Sequence, residues 1–463
     1  MNGLPDELAS DKGISVRRQL DFVIIYLTTG IVLGLIFLAR GNTLPMHSPN
    51  DLSRWATVYS LAERGTYQID TTPWPPSIDR VQIDGHSYST KPPLLPTLLA
   101  AEYLLLKKLS LGHLNFQNSP EAVIRVIVAT INLLPLVAFL FLYSRFLVER
   151  ALSPWTHFFS MCSAALGTYL TAFSITLNNH TIAAFCASFS LYGLYRIWVL
   201  GERKAILFML AGFFAGCTAV NEFPAASFLV LVTVGLLWKV PSPTLRIFVP
   251  LAILPVSAHF LTNYAATGSL KPLYLDKNAY EFPGSYWKID PQSGRLVGSR
   301  VDSDTGRVVL ENPSMIDDQY EPWYVYVFHM LIGHHGIFTL SPIFLFSFWG
   351  IFCCLHCPKS PNRAFAFMSL FLTFVMLVFY TFFAGQRNYG GMCNGLRWLF
   401  WLIPFWLFFL PRGLSECENQ RWFRTVALLC LLISAASVFY ATRNPWTRPW
   451  LHEWLFYEGW IKY

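Results

Sequence analysis

Eleven apolar runs divide this chain of 463 residues, and no water-soluble architecture accommodates so many segments of that kind. They lie at 20–39, 124–146, 154–174, 181–198, 204–220, 225–238, 246–263, 337–356, 364–384, 397–411 and 423–441. Charged residues make up only 13% of the chain, against about 25% in ordinary globular domains, which excludes disordered, collagen-like and typical soluble classes. The 34 Lys and Arg outnumber the 27 Asp and Glu by 7, but basic residues collect in cytoplasmic loops, so topology accounts for the excess and nucleic acid is not an expected partner. Most of the nine cysteines fall inside apolar runs, where they read as small buried hydrophobes rather than a disulfide framework.

Lys12, Arg17 and Arg18 precede the first run, which places residues 1–19 in the cytoplasm. A cleaved signal peptide is the competing reading; the run is long for one and no small-x-small cleavage site follows, so an anchor is expected. Arg145/Arg150, Arg203/Lys204, Lys239/Arg246, Lys359/Arg363 and Arg412/Arg421/Arg424 mark one side of the membrane, whereas the turns at 177–180 and 221–224 carry no Lys or Arg. The expectation is an all-α polytopic membrane protein of about eleven spans, with two long outer loops, 40–122 and 264–336, and an outer tail at 442–463. A catalytic module at 20–263 would then include the first loop, and the helices of 337–441 would close the bundle.

The short apolar stretch 94–106 would invert every later loop if it spanned, so it reads as a re-entrant or interfacial helix. An amphipathic helix over 48–64, opened by Ser48-Pro49-Asn50-Asp51, is expected beside it. In the second loop, residues 294–310 alternate and turn like a small hairpin, with Asp304-Thr305-Gly306 at the bend.

Polar residues collect at the outer helix ends. Asp51 and Arg54, one helical turn apart, follow the first span closely; the carboxylate suits a general base, and equally an N-terminal cap beside a solvated arginine. Lys91, ahead of Pro92 and Pro93, places an ammonium at head-group depth, where it fits a phosphate or simply snorkels. Asn179, His180 and Glu222 sit in very short outer turns and read as sugar contacts or as plain caps, with Glu222 also a candidate metal ligand or second base. His329, His334 and His335 form the densest histidine cluster, in a spacing that matches no zinc pattern; phosphate binding and interface packing are the other readings. The Gly-rich stretch 385–397 carries Arg387 and Arg397 to the outer face, where arginine can grip phosphate bidentately. Cys353-Cys354-Leu355-His356-Cys357, at a cytoplasmic helix end, lacks a second ligand pair for zinc.

In order and content these segments resemble the GT-C superfamily of polytopic glycosyltransferases, especially the bacterial branch with lipid A aminoarabinose transferase and the protein O-mannosyltransferases. Asp51-Leu-Ser-Arg54-Trp55-Ala56 is similar to that branch's Asp-Glu-x-Arg-Tyr-Ala element, and Lys91-Pro-Pro-Leu94 to its Lys-Pro-Pro-Leu element. Arg125 occupies the place of an arginine that opens the following span. Thr262-Asn-Tyr264-Ala-Ala-Thr-Gly-Ser resembles an Asn-Tyr-x-x-Phe-Gly-Ser stretch, and the segment from Gly390-Gly391 to Arg397-Trp398 resembles a Trp-Gly-Gly-x-x-x-x-Gly-x-Arg-Tyr stretch. The resemblance runs from about residue 20 to 410.

It implies sugar transfer from a polyprenyl-phosphate donor to a lipid, glycan or protein acceptor on the non-cytoplasmic face, by inversion, in a bacterial cytoplasmic membrane. By resemblance Asp51 is the base, Lys91, Arg397 and Arg387 hold the departing phosphate, and Arg54, Asn179, His180 and Glu222 line the sugar pocket. A divalent cation is left open, but Leu52 stands where the family often has a second carboxylate, so metal-independent transfer is expected. A secondary transporter and a non-catalytic subunit with the same fold are the alternatives; the first lacks repeat halves and midplane polar groups.

Overall fold

Hydrocarbon offers no partners for backbone polar groups, so apolar runs of this length resolve into helices. In the computed structural model, which describes residues 4–38, 45–150, 152–291, 296–301, 308–311, 321–384 and 387–461, six helices are long and apolar enough to cross a membrane. They are Arg17–Leu38, Pro120–Val148, Pro241–Thr267, Arg363–Phe383, Arg397–Ser415 and Arg421–Ala441. Shorter apolar helices occupy Ala205–Asn221, Phe223–Lys239 and Phe344–His356, and a further helix covers Asn179–Trp198. By length and composition the chain is a multi-pass membrane protein.

The run at 154–174, expected as one continuous span, is broken. Pro154–Leu166 ends at Gly167, a single helical turn follows at Tyr169–Phe173, and an irregular segment leads to Asn178. Such backbone is tolerated at this depth only where protein surrounds it and its polar groups are paired. Thr168, Ser174, Thr176 and Asn178 are all fully buried. The Thr171 hydroxyl donates to the Ala165 carbonyl at 2.6 Å, Ser174 to Leu170 at 2.7 Å, and the Asn178 amide to the Phe173 and Thr176 carbonyls at 3.0 Å each.

Glycines let the helices meet backbone to backbone. Gly212 and Gly216, four apart on Ala205–Asn221, face the carbonyls of Phe248 and Ala252 on the next long helix, and a Cβ at either would fall onto those oxygens. Gly350 and Gly413 make the same kind of contact, against Phe409 and Phe346. Small residues at helix crossings gain dispersion energy that lipid contacts cannot replace. Leu428, Leu429, Leu432 and Phe439 of Arg421–Ala441 remain exposed, as a lipid-facing surface requires. Near the opposite end, His157 lies 2.9 and 3.0 Å from the two oxygens of Asp21, a fully enclosed pair that ties the first helix to Pro154–Leu166.

In the first outer loop, Ser48 caps the Pro49–Arg64 helix and Gly65, at φ 68°, ends it in the left-handed conformation only glycine adopts freely. The Leu94–Leu109 helix packs against it, joined by Glu63, which accepts from Tyr103 and from Lys107. Between the helices lies an antiparallel hairpin, Arg80–Ile83 with His86–Ser89, turning at Asp84 and Gly85 with φ of 50° and 80°. The second loop contributes an antiparallel sheet in the order Trp287–Ile289, Leu296–Val301, Val308–Glu311. The start of the expected hairpin at Gly294 and its bend at Asp304–Gly306 lie outside the described residues, as do Gly385 and Gln386. Leu273, Ala279 and Tyr280 of the second loop pack on Val81 of the first, so the two loops share one small core.

Candidate active site

Asp51 occupies the third position of its helix and closes a capping arrangement. Its own N–H donates to the Ser48 hydroxyl at 3.2 Å, while its carboxylate accepts from the His47 N–H at 3.1 Å and the Ser48 hydroxyl at 3.2 Å. The N-cap is Ser48 rather than Asp51, and Arg54 is buried rather than solvated, so the plain-cap reading is corrected; a third contact comes from the irregular segment, whose Thr176 hydroxyl donates to Asp51 Oδ2 at 2.5 Å. Asp51 exposes no surface, and burial pushes its carboxyl up to about 6, against the opposing pull of Thr176, Arg54, the His47 N–H and Ser48.

One turn on, Arg54 is also buried and donates through Nη2 to Asn179 Oδ1 at 2.5 Å. The Asn179 amide in turn donates to the Asn221 carbonyl at 2.7 Å and to Glu222 Oε1 at 3.0 Å, and His180 Nδ1 contacts the same Glu222 oxygen. Asn178, in the same short turn, caps this helix, its side chain accepting from the Thr181 N–H at 2.8 Å. Burial lowers the Arg54 guanidinium to about 10, while Asp51, Asp79 and Glu222 favour its charge and Arg397 opposes it. Arg54, Asn179, His180 and Glu222 thus form one hydrogen-bonded cluster, with Asp51 one helical turn from Arg54 and acting on its charge.

Lys91 is not a free ammonium. Its Nζ lies 2.7 Å from Asp79 Oδ2, a carboxylate the sequence reading passed over. Asp79 also accepts from the Thr90 hydroxyl, and its carbonyl takes the Ser53 hydroxyl at 2.6 Å, which fixes the hairpin to the Asp51 helix. Burial lowers Lys91, as do Arg54 and Arg397, whereas Asp79 raises it. Burial would raise Asp79, but Lys91, Thr90 and Arg54 hold it below the usual carboxylate range.

Arg397 reaches the same region from the Gly-rich turn. Gly390, at φ 97°, lies so close that a Cβ there would meet Arg397 Cγ at 3.1 Å. The guanidinium sits 4.8 Å from the ring centroid of Trp446, and its Nε is buried with no hydrogen-bond partner among the described residues. Trp446 comes from the C-terminal tail, which no motif had marked; its indole N–H donates to the Thr176 hydroxyl at 2.9 Å.

Arg387 does not join this group. Its Nε donates to the Thr381 carbonyl at 3.0 Å and its Nη1 to the Glu321 carbonyl at 2.7 Å, so it holds a turn rather than offering its fork to an anion. His334 and His335 belong to a separate aromatic cluster with His329, His452 and Tyr389: the His335 and Tyr389 rings stack at 4.8 Å, and the His329 and His334 rings at 4.0 Å. Among the described residues no group of three or more His, Cys, Asp or Glu side chains is placed to hold a metal ion.

No family model matches the chain, and no curated protein matches it. Among solved structures, it is similar to the crystal structure of the Archaeoglobus fulgidus oligosaccharyltransferase tethered through a disulfide to an acceptor peptide with the NVT sequon. The identity is 13% and the TM-score 0.48, over 95% of this chain and 57% of the archaeal one, so the chain spans little more than half that protein's length.

Proposed function

We propose that the protein is a membrane glycosyltransferase that moves a sugar from a polyprenyl-phosphate donor to a lipid, glycan or protein acceptor on the non-cytoplasmic face. The observation that supports this reading is the gathering of the buried carboxylate Asp51 with the cations Arg54, Lys91 and Arg397 where the first loop meets the helix ends. Transfer breaks the bond between the anomeric carbon and the phosphate oxygen, forms one to the acceptor atom, and sends the acceptor's proton to Asp51. Charge grows on the leaving phosphate as that bond breaks, and cations fixed in advance stabilise it more in the transition state than in the bound donor. Arg397, whose Nε has no hydrogen-bond partner among the described residues, is the cation we assign to the phosphate; Lys91 takes part only by sharing its charge with Asp79. Arg54, Asn179, His180 and Glu222 present donors and acceptors of the kind sugar hydroxyls need. An acceptor atom reaches Asp51 by taking the place of one of its present donors. A single displacement inverts the anomeric centre.

The test is transfer of label from a panel of radiolabelled polyprenyl-phosphate sugars into membrane lipid, glycan and protein fractions, with the unaltered protein and Asp51→Asn compared. Label that appears only with the unaltered protein supports the reading and identifies the acceptor class. Absence of transfer from every donor, with the protein folded, removes it.

A further inference from the structure

The side chain that touches both halves of this site is Trp446, and it comes from the far end of the chain. Asn394 binds the tail in place: its N–H donates to the Pro445 carbonyl at 2.9 Å, and its side-chain amide to the Thr447 carbonyl at 3.0 Å and hydroxyl at 3.1 Å. Asn394 belongs to the same Gly-rich turn that carries Arg397, so turn and tail are set as one unit. Trp446 itself is buried and packs edge-on against Phe173 at 5.6 Å. On the other side, the Thr176 carbonyl accepts from the Asn132 amide at 2.8 Å, and Asn132 lies in a five-residue π turn, Ala129–Leu133, inside the Pro120–Val148 helix.

The hydrogen bonds run in one direction only. An indole N–H can donate but never accept, so the Thr176 oxygen must accept from Trp446, and its single proton is left for Asp51 Oδ2. The same ring carries the Arg397 guanidinium 4.8 Å from its centroid, an attractive placement for a cation. We propose that Trp446 is a positioning residue which, by committing the Thr176 hydroxyl to Asp51 and seating Arg397, sets the general base and the phosphate-gripping cation of the site together.

The proposal rests on the glycosyltransferase reading for the roles of Asp51 and Arg397, but the relay is testable without it. Removing the indole N–H frees the Thr176 hydroxyl to turn away, and the Asp51 carboxylate loses a committed donor. The other groups around it stay: Arg54 and His47 from its own helix and the turn before, with Asp79, Glu222 and Arg397 acting on Arg54 from the hairpin, the Asn221–Pro224 turn and the Gly-rich turn.

The experiment titrates Asp51 in the full-length protein in detergent micelles, by infrared spectroscopy with 13C-labelled aspartate and Asp51→Asn as the reference. Trp446→Phe keeps an aromatic ring but loses the N–H and the five-membered part of the indole; Thr176→Val loses the relay from the other side, and Thr176→Ser restores it. The expected result is an Asp51 midpoint raised by about one unit, a tenfold change in proton affinity, in the first two variants and not in the third. The double variant should move no further than either single one, because one relay is being cut twice. If Trp446→Phe does not fold, the valine and serine pair at Thr176 carries the comparison. An unmoved midpoint in folded Trp446→Phe or in folded Thr176→Val overturns the proposal. A raised midpoint with no transfer from any donor leaves the relay standing and removes the transferase reading. With transfer, the acid limb of the rate profile should rise by the same amount, and an acid limb that stays put counts against the relay.

Discussion

Lys91 Nζ lies 2.7 Å from Asp79 Oδ2, so the lysine that stands out in the sequence is neutralised within the protein before any anion arrives. Both side chains are largely enclosed, with 23% and 14% of their surface exposed. Removing either partner leaves the other charge in poor solvent, which costs about 3–5 kcal/mol for a fully buried pair and less where water still screens it. Lys91→Met and Asp79→Asn should therefore each lower thermal stability by about 1–3 kcal/mol, and the double variant by less than their sum. Melting curves in detergent decide it, and strictly additive losses would show that the two charges do not interact.

Asp51 should give opposite signs in stability and in activity. Burial pushes its carboxyl from the ordinary 3.8 up to about 6, so between those values the folded protein holds a proton that the unfolded chain has released. Stability from this group therefore falls as pH rises through that window and stays lower above it. Activity needs the ionised form and should fall away below about pH 6. Asp51→Asn removes the buried charge, so at pH 8 it should melt no lower than the unaltered protein while transfer drops by about 10²–10⁴-fold. A strongly destabilised Asp51→Asn would mean that the hydrogen bonds Asp51 accepts from His47, Ser48 and Thr176 outweigh the cost of burying its charge.

Helix crossings supply a third expectation. Gly212 and Gly216 face the Phe248 and Ala252 carbonyls with no room for a side chain. Backbone oxygens cannot rotate away as a side chain can, so Gly212→Ala or Gly216→Ala must separate the two helices. Overpacking of this kind costs about 1–3 kcal/mol, and both variants should melt lower, whereas Gly30→Ala, with nothing within 4 Å of its Cβ position, should not. Equal melting temperatures for all three would contradict the close crossing.

What the sequence discloses and what it hides divide along range of interaction. Hydropathy is a local property, and it locates the helices; cap chemistry is local too, and Ser48-Pro49-Asn50-Asp51 opens a helix as expected. Asp84-Gly85 between Val81-Gln82-Ile83 and His86 is an equally local hairpin signal, and the fold uses it, though the sequence reading passed over it. The break at Gly167 is different. Its hydroxyl-rich continuation through Thr168, Thr171, Ser174 and Thr176 reads as an apolar helix; in the fold Thr168, Thr171 and Ser174 donate to nearby carbonyls of their own segment, whereas Thr176 reaches across the chain to Asp51, a pairing hydropathy does not show. Pairings across the chain leave no local mark: nothing near Lys91 names Asp79 as its partner, and nothing near Asp51 points to Trp446. Arg387 and Arg397 share one Gly-rich stretch, yet only the fold decides that the first binds carbonyls and the second faces the polar cluster.

The histidine cluster should make the outer half of the protein acid-sensitive. Burial holds His334 down at about 2, with His329 and His452 repelling further charge, and holds His452 at about 4, with Arg448 and His329 adding to it. His335 is likewise held well below its usual range by burial. The unfolded chain takes up protons near 6.5, so it binds more of them than the folded protein below that pH. The stability these neutral imidazoles contribute is thus present above about pH 6.5 and is lost as pH falls toward 4. Melting temperature should drop between pH 7 and pH 5, and His452→Phe, which keeps a ring against His334 and His335, should flatten that drop. Asp51 works in the other direction in the lower part of this range, so the slope is best read in an Asp51→Asn background. A melting curve in that background with the same acid slope before and after His452→Phe would place the sensitivity elsewhere.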